Sequence, residues 1–195
     1  LHLEKGSAFA RRGWLLPPHD SLDTLDRLEQ AVTASGARRL VALGDSFHDA
    51  DGPARLLPQA RARLEGLLAR LDWLWVTGNH DGDSGAAVGG AAVAEIELGG
   101  IWLRHEADRS APGPEISGHY HPKVEIRLRT GRRLSRRCLA LAGDRLVLPA
   151  YGAYAGGLGI DDPAYVQALG AAPEALVPSG AGLIRLPADH RERVA

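Results

Sequence analysis

The chain has 195 residues, 45% of them hydrophobic and 24% charged, with a formal net charge of -1. That length suits one domain, residues 1–195, with a sizeable core, and the near-neutral charge excludes a whole-molecule attraction for nucleic acid or membrane. A single cysteine, Cys138, excludes an internal disulfide framework and fits a reducing, cytoplasmic setting, where it reads as a small buried apolar residue.

Leu1 to Gly6 reads as the exit of a strand whose body precedes Leu1, and Ser7 to Gly13 is polar, with Arg11 and Arg12. Leu22, Leu25, Leu28 and Val32 recur at helical spacing, with Asp20 or Ser21 as the expected N-cap and Gly36 as the stop. Arg39 to Leu43 is a short apolar strand ended by Gly44-Asp45. A second helix, with Pro58 in its first turn, carries Leu64, Leu67, Leu68 and Leu71 inward. Asp72 to Thr77 is the next strand, ended by Gly78-Asn79-His80-Asp81. This alternation argues for a partly parallel sheet covered by helices.

The second half changes character. Val93 to Leu98, Ile101 to Leu103, Val124 to Leu128, Leu134 to Leu141 and Leu146 to Leu148 read as antiparallel strands, with turns at Gly99-Gly100, Thr130-Gly131 and Gly143-Asp144. Ala150 to Gly159 reads as a glycine- and tyrosine-rich loop, Gly182 to Leu186 as a last strand and Pro187 to Ala195 as a polar tail. No apolar run approaches a membrane span, so no membrane partner is expected.

Chemistry-bearing residues stand at the strand ends. His2 follows the first strand, Asp45 the second, Asn79 and His80 the third, His105 the run through Leu103, and His119 and His121 the next. Were the His119–His121 segment extended, both imidazoles would share one face. In open sheets, loops at the carboxyl ends of strands line one crevice. Leaving His80 aside, one carboxylate, one amide and four histidines make a mixed oxygen and nitrogen donor set, which suits manganese, iron or zinc rather than magnesium or calcium alone.

Gly44-Asp45-x-x-His48, Gly78-Asn79-His80-Asp81, His105 and Gly118-His119-x-His121 match, in order and spacing, the motifs of calcineurin-like metallophosphoesterases, and the chain resembles that superfamily. The family opens with Asp-x-His at the end of its first strand. Here His2 fills the histidine slot, and the aspartate slot falls on the residue before Leu1. Leu1 to Ser7, Gly44 to Asp49 and Leu148 to Leu158 look like the bacterial subfamily of ligase-associated DNA-damage-response endonucleases.

The resemblance implies a four-layer α/β/β/α sandwich of two mixed sheets with flanking helices and a dimetal site at the strand ends. It also implies a phosphodiesterase or nuclease of DNA repair, with a DNA ligase and a helicase as partners and nucleic acid as substrate. The missing aspartate, His2, Asp45 and His121 would hold one ion. Asp45 would bridge to the second, manganese for preference, completed by Asn79, His105 and His119. His80 would protonate the leaving oxygen or hold a phosphate oxygen, and Asp81 would fix its loop. Where many relatives carry aspartate, this chain has His48, which leaves Asp49 or Asp51 as candidate partners of His80, or no partner at all.

Lys5, Arg11 and Arg12 follow the first ligand motif and read either as contacts to substrate phosphate or as ordinary surface charge, and Tyr154 could border the cleft. The arginines from Arg127 to Arg137 read first as a solvated strand face that discourages edge pairing, and second as a phosphate-tracking surface. Two other functions remain in view: a small-nucleotide phosphatase or pyrophosphatase, which should show a closed pocket, and a non-catalytic scaffold, which should have lost ligands.

Overall fold

A computed structural model describes residues 1–17, 19–127 and 130–188. They form two compact units: Leu1–Ile96 with Tyr151–Ala155, and Glu97–Ala150 with the described residues from Gly156 onward. No helix among the described residues is long and apolar enough to cross a membrane.

The first unit alternates strand and helix as the periodicity demands. Its strands β1 (Arg39–Leu43), β2 (Asp72–Val76) and β3 (Ala91–Val93) pair in parallel in that order, with Leu43 opposite Val76 and Val76 opposite Val93. Helices α1 (Lys5–Ala10), α2 (Asp20–Ser35), α3 (Gly52–Arg55) and α4 (Pro58–Leu68) complete it. Leu25 and Leu28 of α2 and Ala60, Leu64 and Leu67 of α4 bury against Ala42, Phe47, Trp73 and Trp75. Gly36 ends α2 in the left-handed conformation, its N–H on the Val32 carbonyl, as its position after the apolar stripe suggested.

The other end of α2 differs from expectation. The N-cap is His19, and Asp20 and Ser21 are turned to another task. Ser21 Oγ accepts from the Glu4 N–H at 2.8 Å and donates to the Glu4 carboxylate at 2.7 Å, while Asp20 accepts from the Gly6 N–H at 3.1 Å. Side chains of the kind that cap helices are spent here on fixing the turn that leads into α1.

The second unit holds a mixed sheet in the order β12-β11-β9-β10-β6-β5-β4. In chain order these are β4 (Glu95–Leu98), β5 (Ile101–Arg104), β6 (Glu115–Ser117), β9 (Leu139–Ala142), β10 (Arg145–Val147), β11 (Glu174–Ser179) and β12 (Gly182–Leu186). A separate antiparallel ribbon joins β7 (Lys123–Arg127) to β8 (Arg133–Arg137), and α5 spans Pro163–Leu169. The core gathers Val124, Cys138, Ala140, Val147, Tyr165 and Val177. Cys138 is fully buried, and burial pushes its thiol up to about 11.

Three expectations need correction. The run from Val93 to Leu98 divides at Ala94: β3 joins the parallel sheet of the first unit, and β4 edges the second sheet. The run from Leu134 to Leu141 divides at Cys138, where the chain leaves its pairing with β7 and enters the large sheet. Nor is the second half all antiparallel, because β5 and β10 both pair with β6 in parallel. Apolar runs show that a strand exists but carry no information about its partner or direction. The expected strand end at Leu128, with Arg129 beside it, and the tail beyond residue 188 lie outside the described residues.

Two elements were not anticipated in this half. α5 has its full punctuation, Asp162 accepting from the Ala164 N–H, Pro163 at the first turn and left-handed Gly170 at the end. β11 contains Pro178, which argues against a strand, but pairing with β9 covers only Glu174 to Leu176, so the proline needs no partner on that side.

Leu64 is completely buried between α4 and the first sheet. Leu64→Ala should cost about 2–5 kcal/mol, read as a fall in the urea unfolding midpoint; an unchanged midpoint would contradict this packing.

Candidate metal centre

In the first unit, the backbone brings His2 to Asp45. Leu1–Leu3 runs parallel to the segment after β1: the His2 N–H donates to the Asp45 carbonyl and the Leu3 N–H to the Ser46 carbonyl, both at 2.8 Å. His2 and Asp45 are both buried, and His2 Nε2 stands 3.8 Å from Asp45 Oδ2, so both offer donor atoms to one small volume. The other carboxylate oxygen, Oδ1, accepts from the His80 N–H at 3.0 Å. That bond ties the loop after β2, with Asn79 and His80, to the loop after β1. Gly78 makes the approach possible, because a Cβ there would collide with the Asp45 backbone nitrogen and carboxylate.

Asp81 fixes the same pair of loops, accepting from the Phe47 N–H at 2.9 Å. Burial raises its carboxyl pKa above the usual value; the Phe47 N–H opposes this, and the Asp45 carboxylate adds to it.

In the second unit, His105 follows β5 directly and is buried, and His119 follows β6. The Gly118 N–H donates to the His105 carbonyl at 2.9 Å, which sets the two loops in register. His119 Nδ1 and His105 Nε2 are then 3.1 Å apart, with the ring planes at 88°. Two ligands about 2.1 Å from a common ion at 90–110° would stand roughly 3.0–3.4 Å apart, so this pair fits one cation. His119 and His121 are not extended, with φ of 62° and 50°. The alternation argument therefore fails for them: β6 stops at Ser117, and two left-handed residues set their directions instead.

Whether these side chains suit metal can be judged from the backbone. Among the described residues, six other than glycine have positive φ: His2, Glu4, His19, Asp45, His119 and His121. Four of the six are candidate ligands. A non-glycine residue held left-handed costs on the order of 1 kcal/mol or more, and such strain collects where side chains must be aimed at a ligand. Nitrogen and oxygen donors, aimed in this way and close-set within each unit, fit divalent cations of the borderline class.

Other expected residues fall as follows. His48 lies 5.7 Å from the His80 ring, stacked at 25°, and 6.2 Å from the His2 ring. Asp49 pairs with Arg55 at 2.8 Å and Asp51 with Arg11 at 3.3 Å, so both carboxylates are engaged by arginines. Lys5 Nζ lies 5.6 Å from the Phe9 ring centre, and Arg12 is exposed. Tyr154 donates to the Pro17 carbonyl at 3.0 Å. On the β7–β8 ribbon, Lys123 and Arg127 face Arg137 and Arg133 across the strands, with Glu125 between them.

Glycines of the Tyr151–Gly159 loop were missed as part of the site. A Cβ on Gly152 would strike the Leu1 carbonyl oxygen, and one on Gly157 would strike the His121 carbonyl oxygen. Within their own units, these glycines let the loop lie against the peptides that carry His2 and His121.

No family model matches the chain, and no curated protein sequence matches it. Its structure does have a solved likeness. The crystal structure of Pseudomonas putida nuclease MPE is similar, with a TM-score of 0.69 and 27% sequence identity. The match covers 95% of this chain and 84% of that one, so the α/β fold is that of a protein described as a nuclease.

Burial, followed by the Lys5 ammonium and His80, lowers the His48 pKa from its ordinary 6.5. The unfolded chain therefore takes up a proton that the folded chain resists. This contribution to stability is complete above about pH 6.5 and declines as pH falls below it. For metal-free protein, the urea midpoint should drop between about pH 7 and about pH 5.5, and His48→Gln should reduce that drop; a steeper drop in the variant would contradict the assignment.

Proposed function

We propose that the chain is a metal-dependent phosphoesterase of the calcineurin-like kind, and that it cleaves phosphodiesters of nucleic acid. The observation that carries the reading is the left-handed backbone at His2, Asp45, His119 and His121, which falls on the residues the motif spacing selects. Likeness to a protein described as a nuclease supports the nucleic-acid substrate, and the subfamily resemblance supports a role in DNA repair beside a ligase and a helicase.

In this reading His2, Asp45, Asn79, His105, His119 and His121 hold two divalent ions, with manganese preferred and iron or zinc suited to the same donors. Such ions supply Lewis acidity toward water and phosphate. The protein's own residues do the rest. Asp45 keeps one oxygen toward His2 while the other accepts the His80 N–H, so the residue that holds the ion also places the acid. The His80 ring is exposed, as a proton donor to a leaving oxygen must be. His48 stacks against that ring, so His80 is oriented by a neighbouring imidazole rather than by Asp49 or Asp51.

Asp45→Asn should lower metal-dependent cleavage of a chromogenic phosphodiester by at least about a hundredfold while leaving the circular dichroism spectrum unchanged. Retained activity would remove Asp45 from the centre. His80→Ala should reduce kcat by about a hundredfold with metal content unchanged; metal loss instead would make His80 a ligand rather than the acid.

A further inference from the structure

Trp14 is 69% exposed and Leu15 88% exposed, large values for apolar side chains of a folded unit. Trp14 is nevertheless held in place. After α1, left-handed Gly13 reverses the chain, and the Trp14 N–H donates to the Phe9 carbonyl at 3.0 Å. The Trp14 ring lies 6.3 Å from the Phe9 ring at 72°. Phe9 lies 5.6 Å from His48, and His48 lies 5.7 Å from His80. Four rings thus form an unbroken row, each pair within the range of aromatic contact, from the proposed acid to an open indole.

Cations edge this row. Lys5 lies over the Phe9 ring, exposed Arg12 follows in the turn, and Arg11 is held by an exposed pair with Asp51. Exposed pairs of this kind contribute little and exchange readily for another anion. Aromatic faces interleaved with cations are the elements by which proteins grip unpaired nucleic-acid strands: the rings stack with bases, and the cations follow phosphates. The β7–β8 ribbon has cations, but none of its described residues is aromatic.

We propose that Trp14 and Phe9, edged by Lys5, Arg11 and Arg12, form a stacking platform for the bases of a single nucleic-acid strand entering the candidate metal centre. The inference rests on the nuclease reading and narrows it to substrates with unpaired nucleotides next to the scissile phosphate. An anionic membrane surface would also attract an indole, a leucine and basic residues. The continuous row of rings toward His80 favours the strand.

Fluorescence anisotropy on the full chain separates these cases, using a short labelled thymidine oligonucleotide and a strand of the same length made of abasic sites. Wild type should prefer the thymidine strand. Trp14→Ala should weaken that binding by about five- to fiftyfold while leaving the abasic affinity within about twofold, and Trp14→Phe should restore most of the preference. Arg12→Ala should weaken both strands alike and lessen the salt dependence. Equal binding of both strands by wild type, an equal loss on both in Trp14→Ala, or Trp14-dependent binding of phosphatidylglycerol vesicles but not of DNA would overturn the platform. In each of those cases metal-dependent hydrolysis of a chromogenic phosphodiester would leave the phosphoesterase reading standing, and its absence would sink that reading separately.

Discussion

Asp45 is the constraint around which the first unit is arranged. Asp45 is 3% exposed, and burying a carboxylate costs several kcal/mol unless its oxygens are engaged. One oxygen takes the His80 N–H, the other faces His2, and its carbonyl takes the His2 N–H. Three segments far apart in sequence are joined through one residue. The joint forces Asp45 into a left-handed backbone at φ 45° and forbids any side chain at Gly78.

The second unit meets a similar demand by other means. It has no buried carboxylate among its candidate ligands, so the backbone sets the geometry. The His105 carbonyl accepts from Gly118, and the parallel pairing of β5 with β6 starts both loops from the same level. Arg104, next to His105, sits 3.3 Å from Glu115, and both are buried, so an ion pair links the two strands just before their histidines. Burial raises the Glu115 pKa, and hydrogen bonding from the Asp108 N–H, followed by Arg104 and Arg145, works against it.

Much of this was readable from residue order. Strong periodicity in α2, the buried runs of β1 and β2 and the glycines after them fall where the pattern placed them, because local propensity and burial agree there. Strand partners were not readable. The division at Ala94 and the pivot at Cys138 depend on which sheet offers an edge, a tertiary fact that no local run encodes. His119 and His121 show a different limit. Their spacing did single them out, but the reasoning attached to it, alternation in a strand, was incorrect. The side chains are aimed by two left-handed residues, a strained conformation that propensity argues against. The platform residues illustrate a signal only half read: Arg11 and Arg12 stand out as candidate phosphate contacts, but their interleaving with Phe9 and Trp14, within six residues of chain, was passed over.

The central claim is that these side chains serve metal, and metal content tests it most directly. Elemental analysis of purified protein, after manganese loading and removal of free ion, should find about two equivalents per chain in the wild type, as expected of a two-metal phosphoesterase. Asp45→Asn, which removes the buried carboxylate, should fall well below that. A wild type that retains no divalent ion, or an Asp45→Asn variant that retains as much as wild type, would contradict the account.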